Sequence, residues 1–178
     1  CYGVVVKKDD GTLDTITANY TVLASGGIGG IYRYSTNYRH LTGDAIALAL
    51  KHGIELKNTN YVQIHPTTFY TENETDRSFL ISESVRGEGA VLLDKKMERF
   101  TDELQPRDVV TGEIRKQMKK DGTDFVWLSM KPIDREQLES HFPNIVKHCR
   151  EYGYNVPDDC IPVVPAQHYF MGGIKVNL

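Results

Sequence analysis

The residue pattern changes character near residues 57–60, and this change constrains the fold more than any single motif. Before it, two β-rich runs at residues 2–7 and 12–18 are joined by a turn signal. A third run at residues 20–24 ends in glycines, and the pattern over residues 42–53 predicts a helix with a glycine C-cap. This order of elements is typical of the end of an α/β nucleotide-binding domain.

Beyond the change, short strands are mixed with helices. Pro106 suits the first turn of a helix because it has no N–H to leave unpaired, and Gly122 can end that helix. Val110, Ile114 and Met118 recur every four residues and predict its buried face. The β-rich runs lie at residues 61–64, 79–81, 91–93 and 125–128. The chain is therefore predicted to be α+β.

The C-terminal part combines helical and stiff extended segments. A helical stretch starts at Asp134 and is interrupted at Pro143. The segment at residues 161–165 is predicted to be extended and to lead through His168 into a turn at Gly172-Gly173. A last short strand is predicted after this turn.

Composition excludes several classes of function. The net charge of -3 leaves no basic excess to neutralise phosphates, which excludes a general nucleic-acid binder. No apolar run approaches the ~20 residues that span a bilayer, so no direct membrane insertion is expected. Three cysteines without a CxxC pair argue against structural zinc and against a disulfide framework, which favours a reducing cytoplasm. Because Cys1 already lies in a strand pattern, we interpret the chain as an internal fragment of a longer protein.

The glycine-rich segment Ser25–Gly30 follows a strand, as a phosphate-binding loop would. It does not match the GxGxxG template, and on the motif alone we favour a tight strand exit with close backbone approach. Asp44, at the start of the next helix, is equally ambiguous because a carboxylate there often only stabilises the helix end.

Two histidines have neighbours that restrict the backbone. Pro66 favours an extended conformation at His65, although a half-buried strand histidine is the simpler interpretation of that residue alone. His168 lies between a proline-bracketed segment and two glycines, and this framing favours a functional role. The other histidines lack such framing and are expected at the surface or in the core: His40, His52, His141 and His148.

Arg107 and the segment Ser82–Gly89 carry further candidates. A surface salt bridge is the simpler interpretation of an isolated Arg107, but its planar fork also matches a carboxylate. As a proton relay it would need a neighbouring carboxylate to assist it. Ser82 and Glu83 are candidates for a pocket wall, whereas Arg86 is assigned a structural role in local ion pairs.

Seven stretches in this order resemble the succinate dehydrogenase/fumarate reductase flavoprotein family. They are LASGGIGG, TGDAIALAL, IHPTTF, FLISESVRGEGAVLL, ERF, PRDVV and IPVVPAQHYFMGG. They extend over nearly the whole chain from Val22 onward, and together they are far more specific than any one motif. Pro106 stands where the dehydrogenases and reductases usually carry serine, which favours the branch of the family that oxidises L-aspartate.

The resemblance implies part of an α/β FAD-binding lobe at residues 1–58, a capping domain at 59–165, and a strand returning to the lobe at 166–178. It also implies roles for individual residues. The residues carried over by motif are Ser25, Gly26, Gly27 and Asp44 for FAD, His65, Ser82, Glu83 and His168 for the substrate, and Arg107 for catalytic proton transfer.

The implied reaction is hydride transfer from C2 of L-aspartate to the flavin N5, which yields iminosuccinate for quinolinate and NAD synthesis. Oxygen or fumarate would reoxidise the flavin, and a quinolinate synthase is a candidate partner.

Two alternative functions stay open. One is the flavoprotein subunit of a membrane-associated fumarate reductase or succinate dehydrogenase, acting on fumarate or succinate. The other is a non-catalytic cap module that only binds a dicarboxylate or a partner. The fragment alone is expected to be inactive and to bind FAD weakly or not at all.

Overall fold

A computed structural model describes residues 1–73 and 75–177, which form five α-helices, eight strands and one 3₁₀ helix at Gly29–Ile31. The helices are α1 (Asp44–Lys51), α2 (Glu83–Gly87), α3 (Arg107–Asp121), α4 (Arg135–His141) and α5 (Pro143–Glu151). The strands are β1 (Gly3–Lys7), β2 (Leu13–Thr17), β3 (Leu56–Lys57), β4 (Val62–Phe69), β5 (Val91–Leu93), β6 (Val126–Ser129), β7 (Ile161–Phe170) and β8 (Gly173–Ile174). The mixture of helices and sheets agrees with the predicted α+β class.

The largest sheet is antiparallel, with strand order β4-β7-β6-β5. Its long central pair contains two irregularities. Gln63 pairs with Tyr169 but Ile64 pairs with Gln167, so His168 is an extra residue in β7. The register shifts again just after His65. Bulges of this kind bend a strand and change the direction of side chains, and here they occur at both candidate histidines.

The core lies between this sheet and its helices. Helix α3 packs against β4 and β7. Val110 and Ile114 are fully buried and Met118 packs against the same core, which confirms the predicted buried face. Gly122 ends the helix in a left-handed conformation with φ of 68°. Pro106 lies just before the first helical residue, one position earlier than predicted.

The first 58 residues are organised differently. Strands β1 and β2 form a separate hairpin around the predicted turn. The strand predicted at residues 20–24 is wrong: this segment has no strand conformation, and Val22 is 88% exposed. A strand is stable only when its backbone groups are paired, and no described segment pairs with this one.

Two further predictions need correction. Residues 79–81 form an isolated bridge from Leu80 to Thr68 and no strand, because two backbone hydrogen bonds around this one residue pair are their pairing with β4. The charged segment Ser82–Gly89 contains helix α2, which Ser82 caps. His168 lies inside β7 and not in the turn after it, because pairing with β4 continues as far as Phe170.

Two short strands, β3 before the sheet region and β8 after it, pair with each other. β3 pairs with β8 in antiparallel fashion, so that Leu56 faces Ile174. β7 is continuous across residues 165 and 166, and the three-part division of the chain stays a prediction. Within the described residues, no helix combines the length and apolarity needed to cross a membrane.

Candidate active site

A cavity of about 480 Å³ lies between β4, α2, the start of α3 and β7. Every residue predicted to bind the substrate or to transfer a proton lines it, namely His65, Ser82, Glu83, Arg107 and His168. These residues come from segments up to 103 positions apart, between His65 and His168. The structure therefore brings the whole predicted substrate set together.

The two histidines form one wall of the cavity, with ring centroids 5.4 Å apart. His65 is 1% exposed, and its Nδ1 lies 3.2 Å from the backbone N and 3.1 Å from the backbone O of Thr67. Burial and the positive charges of the site lower the pKa of His65 to about 4. Burial and Arg107 also lower the pKa of His168. Both rings are therefore neutral near pH 7 and can offer one N–H each.

Arg107 is the first residue of α3 and is held by two side chains. Its Nε donates to Glu83 Oε2 at 2.6 Å, and its Nη1 donates to Gln63 Oε1 at 2.9 Å. The hydrogen bond from Arg107 holds the pKa of the Glu83 carboxyl below its ordinary value. The neighbouring carboxylate that a proton relay requires is thus present, and both members of this partly exposed salt bridge line the cavity.

Arg86 has a different role from the one expected. It forms no ion pair in the described part of the chain and is 2% exposed. Its Nη1 donates to the Glu103 carbonyl at 2.6 Å, while Nε and Nη2 have no hydrogen-bond partner. Burial lowers the pKa of Arg86. Since Arg86 also lines the cavity, its charge adds to the positive side of the site.

The sequence patterns did not lead to the position of Arg86 in the cavity wall or to the hydrogen bond between Gln63 and Arg107. The spacing of both residues from predicted site residues could have indicated them. Gln63 lies two residues before His65, a separation that places two side chains on one face of a strand. Arg86 lies three residues after Glu83, which is one helical turn. Ser82 lies in the cavity wall, and its Oγ accepts from Ser84 N at 3.3 Å, which leaves its O–H to donate.

The residues predicted to border a flavin lie beside this cavity only in part. A Cβ at Gly27 would meet the Phe170 side chain at 3.4 Å, so this glycine lies against the end of β7, two residues from His168. Gly26 has φ of 74° and packs on Leu41. Ser25 is exposed, and Asp44 accepts a local hydrogen bond from Thr42 at 2.9 Å. The cofactor roles of these four residues stay predictions.

A larger cavity, of about 1020 Å³, lies elsewhere and contains none of the predicted site residues. Its wall includes three arginines and three acidic residues, with no buried unpaired side chain. The described residues also contain no group of three His, Cys, Asp or Glu that could hold a metal ion. The smaller cavity, which holds the predicted residues, is therefore the candidate active site.

The family model described as "FAD binding domain" matches residues 1–178. The L-aspartate oxidase of Clostridium acetobutylicum is 49% identical over 177 residues, which are 99% of this chain and 41% of that protein. The L-aspartate oxidase of Clostridium perfringens is 48% identical over 178 residues, and the chain covers 40% of it. The chain thus spans about two fifths of the length of these relatives.

Solved structures give a similar result. A quinol-fumarate reductase with menaquinol molecules matches 93% of this chain and 32% of its own chain, with a TM-score of 0.82 and 32% identity. An E. coli quinol fumarate reductase matches 92% of this chain and 31% of its own, with a TM-score of 0.78 and 32% identity.

Proposed function

The chain belongs to the FAD binding domain family, and we propose that it forms part of an FAD-dependent oxidase. In this proposal the chain supplies the substrate-binding part, and the enzyme converts L-aspartate to iminosuccinate. One observation carries the proposal: two neutral histidines and an arginine paired with a carboxylate line a single cavity. The similarity to two L-aspartate oxidases supports the choice of substrate.

The cavity suits a four-carbon dicarboxylate, which needs hydrogen-bond donors at both ends. His65 and His168 each offer one N–H, and Ser82 offers its hydroxyl. Arg107 adds a fixed positive charge whose planar fork matches a carboxylate. Closure of the capping part over this cavity would exclude water and strengthen every one of these contacts.

The residues beside the cavity fit a flavin. Gly27 lies, with no side chain of its own, against Phe170 at the end of β7, two residues from His168. Ser25, Gly26, Gly27 and Asp44 would hold the cofactor. When bound, FAD supplies the two-electron acceptor for the oxidation. The protein residues bind the substrate, orient its C2 hydrogen and handle protons.

We assign proton transfer to Arg107 together with Glu83. The short hydrogen bond from Arg107 Nε to Glu83 Oε2 gives the guanidinium a partner that can take its proton. The guanidinium first passes a proton to Glu83 Oε2, and the neutral guanidine that results then accepts a proton from the substrate. Without that carboxylate, a group with a pKa above ~12 is a poor acid-base catalyst.

The proposed function also assigns the domains of the protein, its pathway, its partner and its compartment. Residues 1–58 and 166–178 belong to the FAD-binding lobe, and residues 59–165 form the capping domain. The product enters quinolinate synthesis in the cytoplasm, with a quinolinate synthase as the partner. Free cysteines at positions 1, 149 and 160 support a reducing compartment.

A second candidate is the flavoprotein subunit of a fumarate reductase or succinate dehydrogenase, favoured by the structural match to quinol-fumarate reductase. The deciding experiment uses the full-length protein with bound flavin under anaerobic conditions. L-aspartate and succinate are added separately, and loss of flavin absorbance is followed. Bleaching by L-aspartate alone supports the oxidase, whereas bleaching by succinate alone moves the protein to the second candidate.

Arg107→Gln in the full-length protein separates an enzyme from a non-catalytic cap module. We expect the rate of flavin bleaching to fall about 10²–10⁴-fold, because the proton-transfer group is lost. Arg107→Lys is the matched control: it keeps the charge but loses the fork, and it should recover little of the rate. An unchanged rate in Arg107→Gln, with the fold intact by circular dichroism, would remove Arg107 from the catalytic role.

A further inference from the structure

The loop of residues 35–37, which precedes α1, is fastened to the end of β7. Thr36 N donates to the Gln167 carbonyl at 3.0 Å, and Asn37 Nδ2 donates to the His168 carbonyl at 2.8 Å. Ser35 Oγ donates to Gln167 Oε1 at 2.7 Å. These bonds hold the backbone around His168 and do not involve its ring.

One contact does involve the ring: Thr36 Oγ1 lies 2.7 Å from His168 Nδ1. The Thr36 hydroxyl has one proton and two acceptors within reach. The other acceptor, the Gln167 carbonyl, is 3.5 Å away and already accepts the Thr36 N–H. Asn37 Nδ2 approaches Oγ1 at 3.5 Å from the donor side. The short contact is therefore best satisfied by the hydroxyl donating to Nδ1.

This direction decides the tautomer of the ring. A neutral imidazole whose Nδ1 accepts a hydrogen bond carries its hydrogen on Nε2. Within the described residues, Nε2 of His168 has no hydrogen-bond partner, and His168 lines the substrate cavity. Nε2–H is the donor that a substrate carboxylate would use.

We propose that Thr36 is a positioning residue for the reaction, whose hydroxyl fixes His168 as the Nε2–H tautomer and aims that donor at a substrate carboxylate. The inference rests on the proposed function, in which His168 binds the substrate. Thr36 and His168 both come from parts assigned to the FAD-binding lobe, whereas the other site residues come from β4, from α2 with its cap, and from α3.

His65 provides the contrast. Its Nδ1 meets both the N–H and the carbonyl of Thr67, so the backbone accommodates either tautomer. No side-chain hydroxyl selects the tautomer of His65. The selection is therefore specific to His168, and a single methyl-for-hydroxyl replacement removes it.

The test uses three variants of the full-length flavoprotein. Thr36→Val keeps the shape and removes the hydroxyl, and Thr36→Ser keeps the hydroxyl. Ser35→Ala removes two hydrogen bonds of the same loop, to Gln167 Oε1 and from Asn37 N, neither of which reaches the ring. For Thr36→Val we expect kcat/KM to fall about tenfold, mainly through KM, because one oriented donor to a charged group is lost. Thr36→Ser should stay within about twofold, and Ser35→Ala should lower thermal stability without this change in KM.

A second measurement reports the tautomer directly. In ¹⁵N-histidine-labelled flavoprotein, the His168 signals are assigned by their loss in His168→Gln. We expect the pattern of an accepting Nδ1 and a protonated Nε2 in the wild type and in Thr36→Ser, and a mixture of tautomers in Thr36→Val. The proposal is overturned if Thr36→Val retains the wild-type pattern, if Thr36→Ser behaves like Thr36→Val, or if Ser35→Ala reproduces the KM effect.

Failure of the proposed function gives a different result. If succinate rather than L-aspartate bleaches the wild-type flavin, the substrate assignment fails. The kinetic comparison is then made with succinate, and the NMR pattern needs no substrate.

Discussion

The sheet region, residues 62–170, and the N-terminal region, residues 1–58, bury their apolar side chains to very different extents. Leu92, Ile114 and Leu128 of the sheet region are fully buried. In the N-terminal region Leu13 is 71% exposed and Val22 is 88% exposed. The sheet region therefore has a core of its own, whereas the N-terminal region presents an apolar surface that no described residue covers. The candidate active-site cavity is lined by residues of the first region, and the residues proposed to hold the flavin lie in the second.

The strongest test of this contrast is flavin retention by the 178-residue chain alone. We expect no bound FAD after gel filtration and no activity with L-aspartate, because three of the four residues that would border the flavin, Ser25, Gly26 and Gly27, lie on a largely exposed segment without strand structure. The full-length protein should keep its flavin absorption under the same conditions. A stable flavin spectrum on the chain alone would contradict the contrast.

Truncation of one side chain in each region gives the next largest effect. Leu128→Ala should lower the free energy of unfolding by about 2–5 kcal/mol, since it opens a cavity in a closed core. Val22→Ala should change it by less than about 0.5 kcal/mol, because little surface is uncovered. Urea unfolding of the 178-residue chain measures both. Equal losses would mean that the N-terminal region is packed in solution.

Acid should act on the sheet region through His65. Its pKa is about 4 in the folded chain against an ordinary value of 6.5, so between these values the unfolded chain binds more protons. The lowered pKa of His65 therefore contributes at most about 3 kcal/mol to the free energy of unfolding. This contribution is fully present above about pH 6.5 and is lost as the pH falls towards 4. His148 and His168 shift in the same direction. Urea midpoints measured from pH 7 to 4 test this, and His65→Gln should flatten the profile.

The smallest pair of effects compares a helix cap with a surface ion pair. Asp134 caps α4 by accepting hydrogen bonds from Glu136 N and Gln137 N, and Asp134→Ala should cost about 1 kcal/mol. Lys8 pairs with Asp14 at 2.9 Å on the exposed hairpin, and Lys8→Ala should cost less than about 0.5 kcal/mol. Thermal melting of both variants checks the order. A larger loss from Lys8→Ala would show that the hairpin is stabilised by more than its exposed contacts.

Local signals in the sequence were sufficient where structure depends on near neighbours. The buried face of α3 and its end at Gly122 follow from spacing and from one glycine. The resemblance to a family then selected the histidines, the arginine and the carboxylate that share the cavity.

Distant contacts could not be predicted in this way. The partner of the His168 ring is Thr36, 132 residues earlier, and nothing in the local sequence around either residue indicates the other. The burial of Arg86 depends on how α2 lies against the segment that carries Glu103. The segment at residues 20–24 has the composition of a strand but pairs with no other described segment, so it does not form one.

The pairing of β3 with β8 has a consequence for how such a chain can diverge. Residues 58–172 leave Lys57 and return at Gly173, and these two residues face each other across the pair. The intervening segment is thus an insertion whose two ends meet. Segments with adjacent ends can be lengthened, shortened or exchanged while the path of the surrounding chain is kept.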